Sequence, residues 1–341
     1  MTQGAEEPPD ESISWPRLAR KRKVSVSVIL TCHNEELFIV QAVESVINQT
    51  ASEAIKEIII VNDGSTDGST EVIAALVDRE PRIHVLTTAG IGPSSARNLA
   101  IRHATGDFVA FLDGDDFWAE DKLERQLTAF DKGCKAALVY GDLVDFSAPD
   151  LSDAVPVAVG RYRADQCDTL PTYFLSDGPI VPSSIVMRRE TIEDIGLFNE
   201  TLRVGEDTEF CMRVAERWTF QHVAGALVYK RRHGSNTTRR LEALLPIAEH
   251  LTREWAIRRP ELAHLARRRN ARLYAKAGND CVARGEKKRG AGLLLRAIRH
   301  DPLSWRVYVY IFLCALPKGL EPQARRAAKL LFYRAMRKKL C

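Results

Sequence analysis

Between Val24 and Asp113 the chain alternates four times between a short run dense in Val, Ile and Phe and, after each of the first three, a segment with apolar residues at helical spacing. The runs are "VSVSVILTC", "EIIIVND", "RIHVLTT" and "DFVAFLD". The segments between them, "EELFIVQAVESVINQ", "TEVIAALVDRE" and "GPSSARNLAIRHA", space their apolar residues as Leu37, Val40, Val43, Val46 and Ile47 do in the first. Parallel strands need a crossover between them, and strands buried on both faces read as continuous apolar runs. The alternation therefore predicts an α/β fold with a mostly parallel central sheet flanked by helices.

In such sheets ligands bind where the carboxyl ends of the strands open onto loops. The polar clusters "TCHNE", "NDGSTD" and "DGDD" all fall there, so one nucleotide-sized site would collect all three. The last cluster asks for an explanation. Asp113, Asp115 and Asp116 repel one another, which costs free energy unless a cation or polar partners neutralise them. Asp116 alone can cap a helix beginning near Glu120, but Asp113 and Asp115 together are hard to explain as caps. Mg²⁺ and Mn²⁺ take carboxylate oxygens together with substrate phosphates, which suits a metal–diphosphate complex.

With 341 residues, 45% hydrophobic and 28% charged, the chain fits a soluble globular protein of one large domain or two. Residues 1–23 have no apolar core segment and read as a flexible lead-in, neither signal peptide nor membrane span. The seven cysteines are scattered without C-x-x-C spacing, which predicts neither a zinc site nor a disulfide framework and points to a reducing, cytoplasmic compartment. Net charge is uneven: residues from Lys230 onward carry a balance of +20, and residues 1–229 one of −16. From residue 238 the composition is helical and rich in Arg, Ala and Leu, so 238–341 is expected to form a basic α-helical region. Within it "DPLSWRVYVYIFLCALP" is too short to span a bilayer, and reads as a core helix or as a segment lying in a membrane interface.

The stretches "VSVILTCHNEELFIVQAVESVINQT", "EIIIVNDGSTDGS", "GPSSARNLAIRHATGDFVAFLDGDD", "KLERQL" and "FNETLRVGEDTEFCMRVA" together resemble the inverting nucleotide-sugar glycosyltransferases of family 2, bacterial polysaccharide enzymes among them. The resemblance implies a GT-A fold, Rossmann-like, over residues 24–237, with a nucleotide-binding half at 24–118 and an acceptor half at 119–237. It implies metal-dependent transfer from a nucleoside diphosphate sugar, with Mn²⁺ or Mg²⁺, of a hexosyl or N-acetylhexosaminyl group. The acceptor would be a hydroxyl of a glycan or lipid-linked precursor, and the site of action the cytoplasm or the inner face of the cell membrane. The basic C-terminal helices would then favour an anionic membrane surface. No nucleic-acid partner is expected, since the tail offers charge without a recognition motif.

Residue by residue, the resemblance puts Thr31 and His33 at the nucleobase, with Glu35 beside the nucleoside. Asp63 would accept a hydrogen bond from a uracil ring. Arg97 and Asn98 would face the nucleotide, Asp113 the ribose and metal, and Asp115 the metal directly. Glu206 and Asp207 match an acidic pair that opens a helix. Displacing a nucleoside diphosphate needs no general acid, but the acceptor hydroxyl needs a base on the opposite face. Asp207 is expected in that role, with Glu206 orienting it or contacting the acceptor. His233, in "RRHGSN", would reach the metal or diphosphate, and Arg231 and Arg232 would add charge. The contrasting reading is a non-catalytic nucleotide-sugar-binding or interaction module. A sugar nucleotidyltransferase is disfavoured, since "TCHNE" is neither Gly-rich nor basic.

Overall fold

The computed structural model describes residues 24–131, 136–157, 169–175, 180–234 and 240–315. The expected alternation is present. β1 (Val26–Cys32), α1 (Ile39–Ile47), β2 (Ile55–Asp63), α2 (Ser69–Arg79), β3 (Ile83–Thr88), α3 (Pro93–His103) and β4 (Phe108–Asp113) follow one another. Next come β5 (Phe117–Trp118), α4 (Lys122–Asp131), β6 (Ala136–Phe146), β7 (Val155–Val157) and α5 (Thr169–Leu175). Then β8 (Val186–Arg188), α6 (Arg189–Ile195), α7 (Glu206–Arg217) and β9 (Thr219–Arg231) lead into α8 (Leu245–Arg258), α9 (Ala263–Ala283), α10 (Lys287–His300) and α11 (Trp305–Ala315).

Among the described residues, nine strands form one mixed sheet in the order β3-β2-β1-β4-β8-β6-β9-β5, with β7 on β6. The first four are parallel, β8 runs antiparallel to both β4 and β6, and β6 and β9 are again parallel. Central strands β1 and β2 are buried at nearly every position, which is why they read as continuous apolar runs. Register then fixes where the polar ends fall. Thr31 lies opposite Asp113, and Cys32 opposite Asn62, one residue before Asp63. Three loops from different parts of the sequence therefore open at one sheet edge.

Two details differ from the sequence reading. Leu37 does not join the apolar face of the first helix; it is 84% exposed, in the turn before α1. Asp116 does not cap α4, which begins at Lys122; its carboxylate accepts from Ser183 Oγ at 2.8 Å and from the Arg231 backbone N–H at 3.0 Å.

The basic helices pack onto the rest of the chain. Trp255 and Leu262 belong to the main hydrophobic core, and Arg258 and Arg259 both pair with Glu216 on α7. Arg269 and Arg272 donate to the carbonyls of Phe174 and Leu175 on α5. A smaller core holds α9, α10 and α11 together through Tyr274, Leu294, Ala297 and Val307. α11 has buried Val307 and Leu313 on one side and exposed Tyr308 and Phe312 on the other. Among the described residues, no helix is long and apolar enough to cross a membrane. Cys32, Cys211 and Cys281 are free, buried thiols. The lead-in at 1–23, Cys134, Cys167, Cys341 and the last 26 positions lie outside the described residues.

Candidate active site

A cavity of about 1270 Å³ opens over the carboxyl ends of β1, β2 and β4. Thr31, His33, Glu35, Asp63, Arg97, Asp113, Asp115, Glu206, Asp207 and His233 all line it. Of the candidates read from sequence, Arg231, Asp116 and Asn98 are not among its lining residues; the first two brace the acid loop, and Asn98 is placed elsewhere. It is 1% exposed and hydrogen-bonds the Phe198 backbone N–H and carbonyl and the Glu200 carboxylate. On α3, Arg97 and Asn98 point to different places because neighbours on a helix do not share a face. Asn98 anchors the loop before α7, and the expectation that it faces the nucleotide is corrected.

On the first wall, Asp63 ends β2 with its carboxylate already engaged. It accepts from the Thr88 hydroxyl, from the Ile91 N–H at 2.7 Å and from the Gly92 N–H at 2.8 Å. These bonds hold the carboxyl below its usual range despite its partial burial. A carboxylate offers about four acceptor positions, so one remains for a ligand. Gly92 and Gly90 adopt left-handed backbone angles that make this short loop possible. The His33 ring donates through Nδ1 to the Asp63 carbonyl at 2.6 Å, which fixes its plane at the cavity mouth.

On the floor lie the acids of the β4 loop. Oxygens of Asp113, Asp115 and Asp116 come within 4.8 Å of one another. Asp113 is held by Arg97 at 2.8 Å, and Asp115 by His233 Nε2 at 2.9 Å. Glu35 lies beneath this loop, so close that a Cβ on Gly114 would collide with its Oε2. That oxygen is buried with no hydrogen-bond partner. Burial first, and then Asp115 and Asp113, push the Glu35 carboxyl well above the usual range. Hard, closely spaced carboxylate oxygens beside an orphaned buried one fit a divalent cation. Asp113, Asp115 and His233 are the residues able to hold it, while Asp116 is already spent on Ser183 and Arg231.

Arg231 explains how the loop is kept in place. Its guanidinium sits over the rings of both Phe38 and Phe146 and donates to the Asp115 carbonyl at 3.1 Å. Lys230 and Ser183 were not legible as site residues. Lys230 lines the cavity with its Nζ 3.8 Å from Asp116, and the neighbouring acid raises its pKa. Ser183 donates to Asp116 and accepts from the Asp113 N–H. The apolar periodicity of "GALVYKRR" does identify a strand, which alternates its side chains; Lys230 and Arg232 line the cavity from β9 and the residue after it.

On the opposite wall α7 starts at Glu206 after Gly205, whose φ of +78° turns the chain into the helix. Arg97 reaches across to Glu206 at 3.1 Å. Asp207 accepts from the Thr208 N–H at 2.6 Å. Burial pushes the Asp207 carboxyl upward; Glu206 is also raised, by burial and by Asp207, against the pull of Arg97. A helix N-terminus favours acids in its first turn, but here desolvation outweighs it. A second acidic cluster, Glu242, Cys281 and Glu286, is neutralised by Arg284 at 2.8 Å and Arg289 at 3.4 Å from Glu242 and is an ion-pair network.

Comparison with known proteins adds to this geometry. Residues 27–194 match the sequence model of the family described as Glycosyl transferase family 2. An uncharacterized glycosyltransferase of Haemophilus influenzae is 41% identical over 103 residues, 30% of this chain and 40% of that protein. A chondroitin synthase of Pasteurella multocida is 27% identical over 224 residues, 62% of this chain and 21% of that one. The matched part is thus less than half the length of these curated relatives. Among solved structures, S. aureus TarS 1-349 in complex with UDP-GlcNAc aligns with a TM-score of 0.56 at 19% identity, covering 91% of this chain and 92% of that one. The same protein in complex with UDP gives 0.54 at 20% identity, covering 91% and 89%. At these identities the likeness is one of fold.

Proposed function

The chain carries a family 2 glycosyltransferase domain over residues 27–194, on a GT-A fold, and from that premise we propose that it transfers a sugar from a nucleoside diphosphate sugar, with UDP as the first nucleotide to test, to an acceptor hydroxyl. The observation that carries this reading is the opposition of two acid pairs across one cavity: Asp113 and Asp115 on the donor side, Glu206 and Asp207 facing them, with Arg97 between.

Asp207 is the general base. It takes the proton of the acceptor hydroxyl as that oxygen bonds to the anomeric carbon, and the bond from that carbon to the diphosphate breaks on the opposite face, giving inversion. An upward-shifted carboxyl is a stronger base than a surface one. The Thr208 N–H keeps one Asp207 oxygen occupied and so aims the other. Glu206, tied to Arg97, orients the acceptor. His33 and Asp63 meet the nucleobase. Asp113, Asp115 and His233 would hold Mn²⁺ or Mg²⁺, which when bound offsets the charge of the departing diphosphate. Lys230 adds a fixed cation on the same side.

TarS solved with UDP-GlcNAc, on the same fold, supports testing an N-acetylhexosaminyl donor beside a hexosyl one. The acceptor is read as a glycan or lipid-linked precursor of cell-surface polysaccharide. Lys287, Lys288, Arg296 and Arg299 on α10 would bring the protein to an anionic membrane face, at roughly 1 kcal/mol for each well-placed cation. Calorimetric titration with UDP, with and without Mn²⁺, tests the reading. Binding is expected to require both the metal and an intact Asp115, so that Asp115→Ala or EDTA weakens it at least tenfold. Binding of equal strength in Asp115→Ala sinks the donor half of the mechanism.

A further inference from the structure

The cavity does not end at the acids. It continues to Leu244 in the turn before α8, Ile247 and Leu251 on α8, Leu273 on α9 and Tyr310 on α11. Its volume of about 1270 Å³ exceeds the roughly 300–1,000 Å³ that houses one drug-sized ligand, so a nucleotide sugar leaves room beside it. The two ends differ in chemistry. One is built of carboxylates and histidines, and the other is mainly aliphatic, with cationic Arg203 and Lys276 near it.

The junction between the ends lies at the base. A Cβ on Gly205 would sit 3.6 Å from Leu251 Cδ1 and 3.7 Å from Ile247 Cγ1. Gly205 immediately precedes Glu206 and Asp207, so α8 packs directly against the turn that presents them. An acceptor whose hydroxyl reaches Asp207 therefore extends its remaining atoms along α8. Ile247, Leu244 and Leu273 are only half-buried, and apolar area left facing water forgoes the free energy of burial. The gain falls to whichever apolar group covers them.

We propose that α8, α9 and α11 form one wall of the acceptor subsite, and that the acceptor is a glycoside carrying an apolar aglycone next to its reacting sugar. This rests on the glycosyltransferase reading of the cavity, but it assigns the C-terminal helices a role in substrate selection rather than in membrane attachment alone. The side chains concerned come from a part of the chain that the family match, ending at residue 194, does not reach.

The test uses the full-length protein, with Mg²⁺ and UDP present, and compares octyl β-glucoside below its critical micelle concentration with methyl β-glucoside. Binding is read by saturation-transfer NMR, and UDP affinity is measured separately by calorimetry. The octyl glycoside is expected to bind at least tenfold tighter, with transfer strongest at its alkyl protons. Ile247→Asp should remove that preference and leave UDP affinity within twofold. Leu273→Asn gives the same reading should Ile247→Asp lose its helical circular dichroism. Equal binding of the two glycosides, as when other segments of the chain already cover the wall, overturns the proposal. So does a preference that survives both substitutions. Loss of UDP binding with the octyl preference retained would instead count against the donor reading and leave the apolar wall standing.

Discussion

Arg97 and Glu206, 109 positions apart in sequence, meet at 3.1 Å across the cavity. The other arm of the same guanidinium holds Asp113 at 2.8 Å, and the Arg97 side chain is only 6% exposed. One buried cation thus ties the acids that follow β4 to the start of α7. Its two partners respond differently. Asp113 is held below the usual carboxylate range, whereas Glu206 stays above it, because its burial and then the like charge of Asp207 outweigh the pull of Arg97.

Removing Arg97 would strand two desolvated carboxylates. Arg97→Ala is expected to cost on the order of 3–5 kcal/mol, the usual penalty for breaking a buried ion pair from one side. Arg97→Lys should recover only part of it, since an ammonium lacks the fork that spans both acids. Urea denaturation of the three proteins measures this, and a loss under about 1 kcal/mol for Arg97→Ala would show the pairing to be incidental.

Asp207→Asn separates the base from the fold. Turnover should fall by at least ~10²-fold, in keeping with general-base contributions, while UDP affinity stays within twofold. The neutral amide also relieves a buried charge, so the melting temperature at neutral pH should rise, by about 1–3 °C. A variant that keeps wild-type turnover would move the base elsewhere.

The direction of the Asp207 shift sets a pH dependence. Burial raises its folded value above that of the unfolded chain, so protons bind the native state more tightly between the two values. This group's contribution to stability is therefore most favourable below the unfolded value of about 3.9, and declines as pH rises through the folded one. Activity needs the ionised form and moves the opposite way. Asp207→Asn should flatten both trends; measured kcat/KM and melting temperature that rise together across this window, or an unchanged profile in the variant, would refute the assignment.

Asp63 and Asn98 make a paired prediction. Asp63→Ala frees the Thr88 hydroxyl and two backbone N–H groups of the 88–92 loop, and UDP binding should weaken at least tenfold. Asn98→Ala should instead cost roughly 1–3 kcal/mol of stability by orphaning the buried Phe198 backbone groups, with UDP affinity unchanged. Calorimetry and denaturation on the same samples decide it. Weakened UDP binding in Asn98→Ala at full stability would restore that residue to the nucleotide site.

Much of the parallel half of the sheet, and of the cluster at its carboxyl edge, was legible in the sequence. Continuous apolar runs mark strands buried on both faces, and the residues at which such runs end must lie at the sheet edge. Thr31, Asp63 and Asp113 could be brought together on that ground. The same local logic failed where direction around a helix decides the outcome. Asn98 and Arg97 are neighbours in sequence, yet one anchors a loop and the other crosses the cavity. It failed again at Leu37, which shares the helix's apolar spacing but sits in the turn before it.

By itself the sequence determined the alternation of strands and helices, the position of the acids at the strand ends and the basic, helical character of the C-terminal part. These follow from apolar periodicity and composition, which act over a few residues. Only the tertiary structure decided that Arg97 spans Asp113 and Glu206, that Lys230 and Ser183 attend Asp116, and that α8 lies against Gly205. Those contacts join positions from 16 to more than a hundred residues apart. The free energy of such a contact depends on burial and on what else competes for the same group, and neither is written in the spacing of neighbouring side chains.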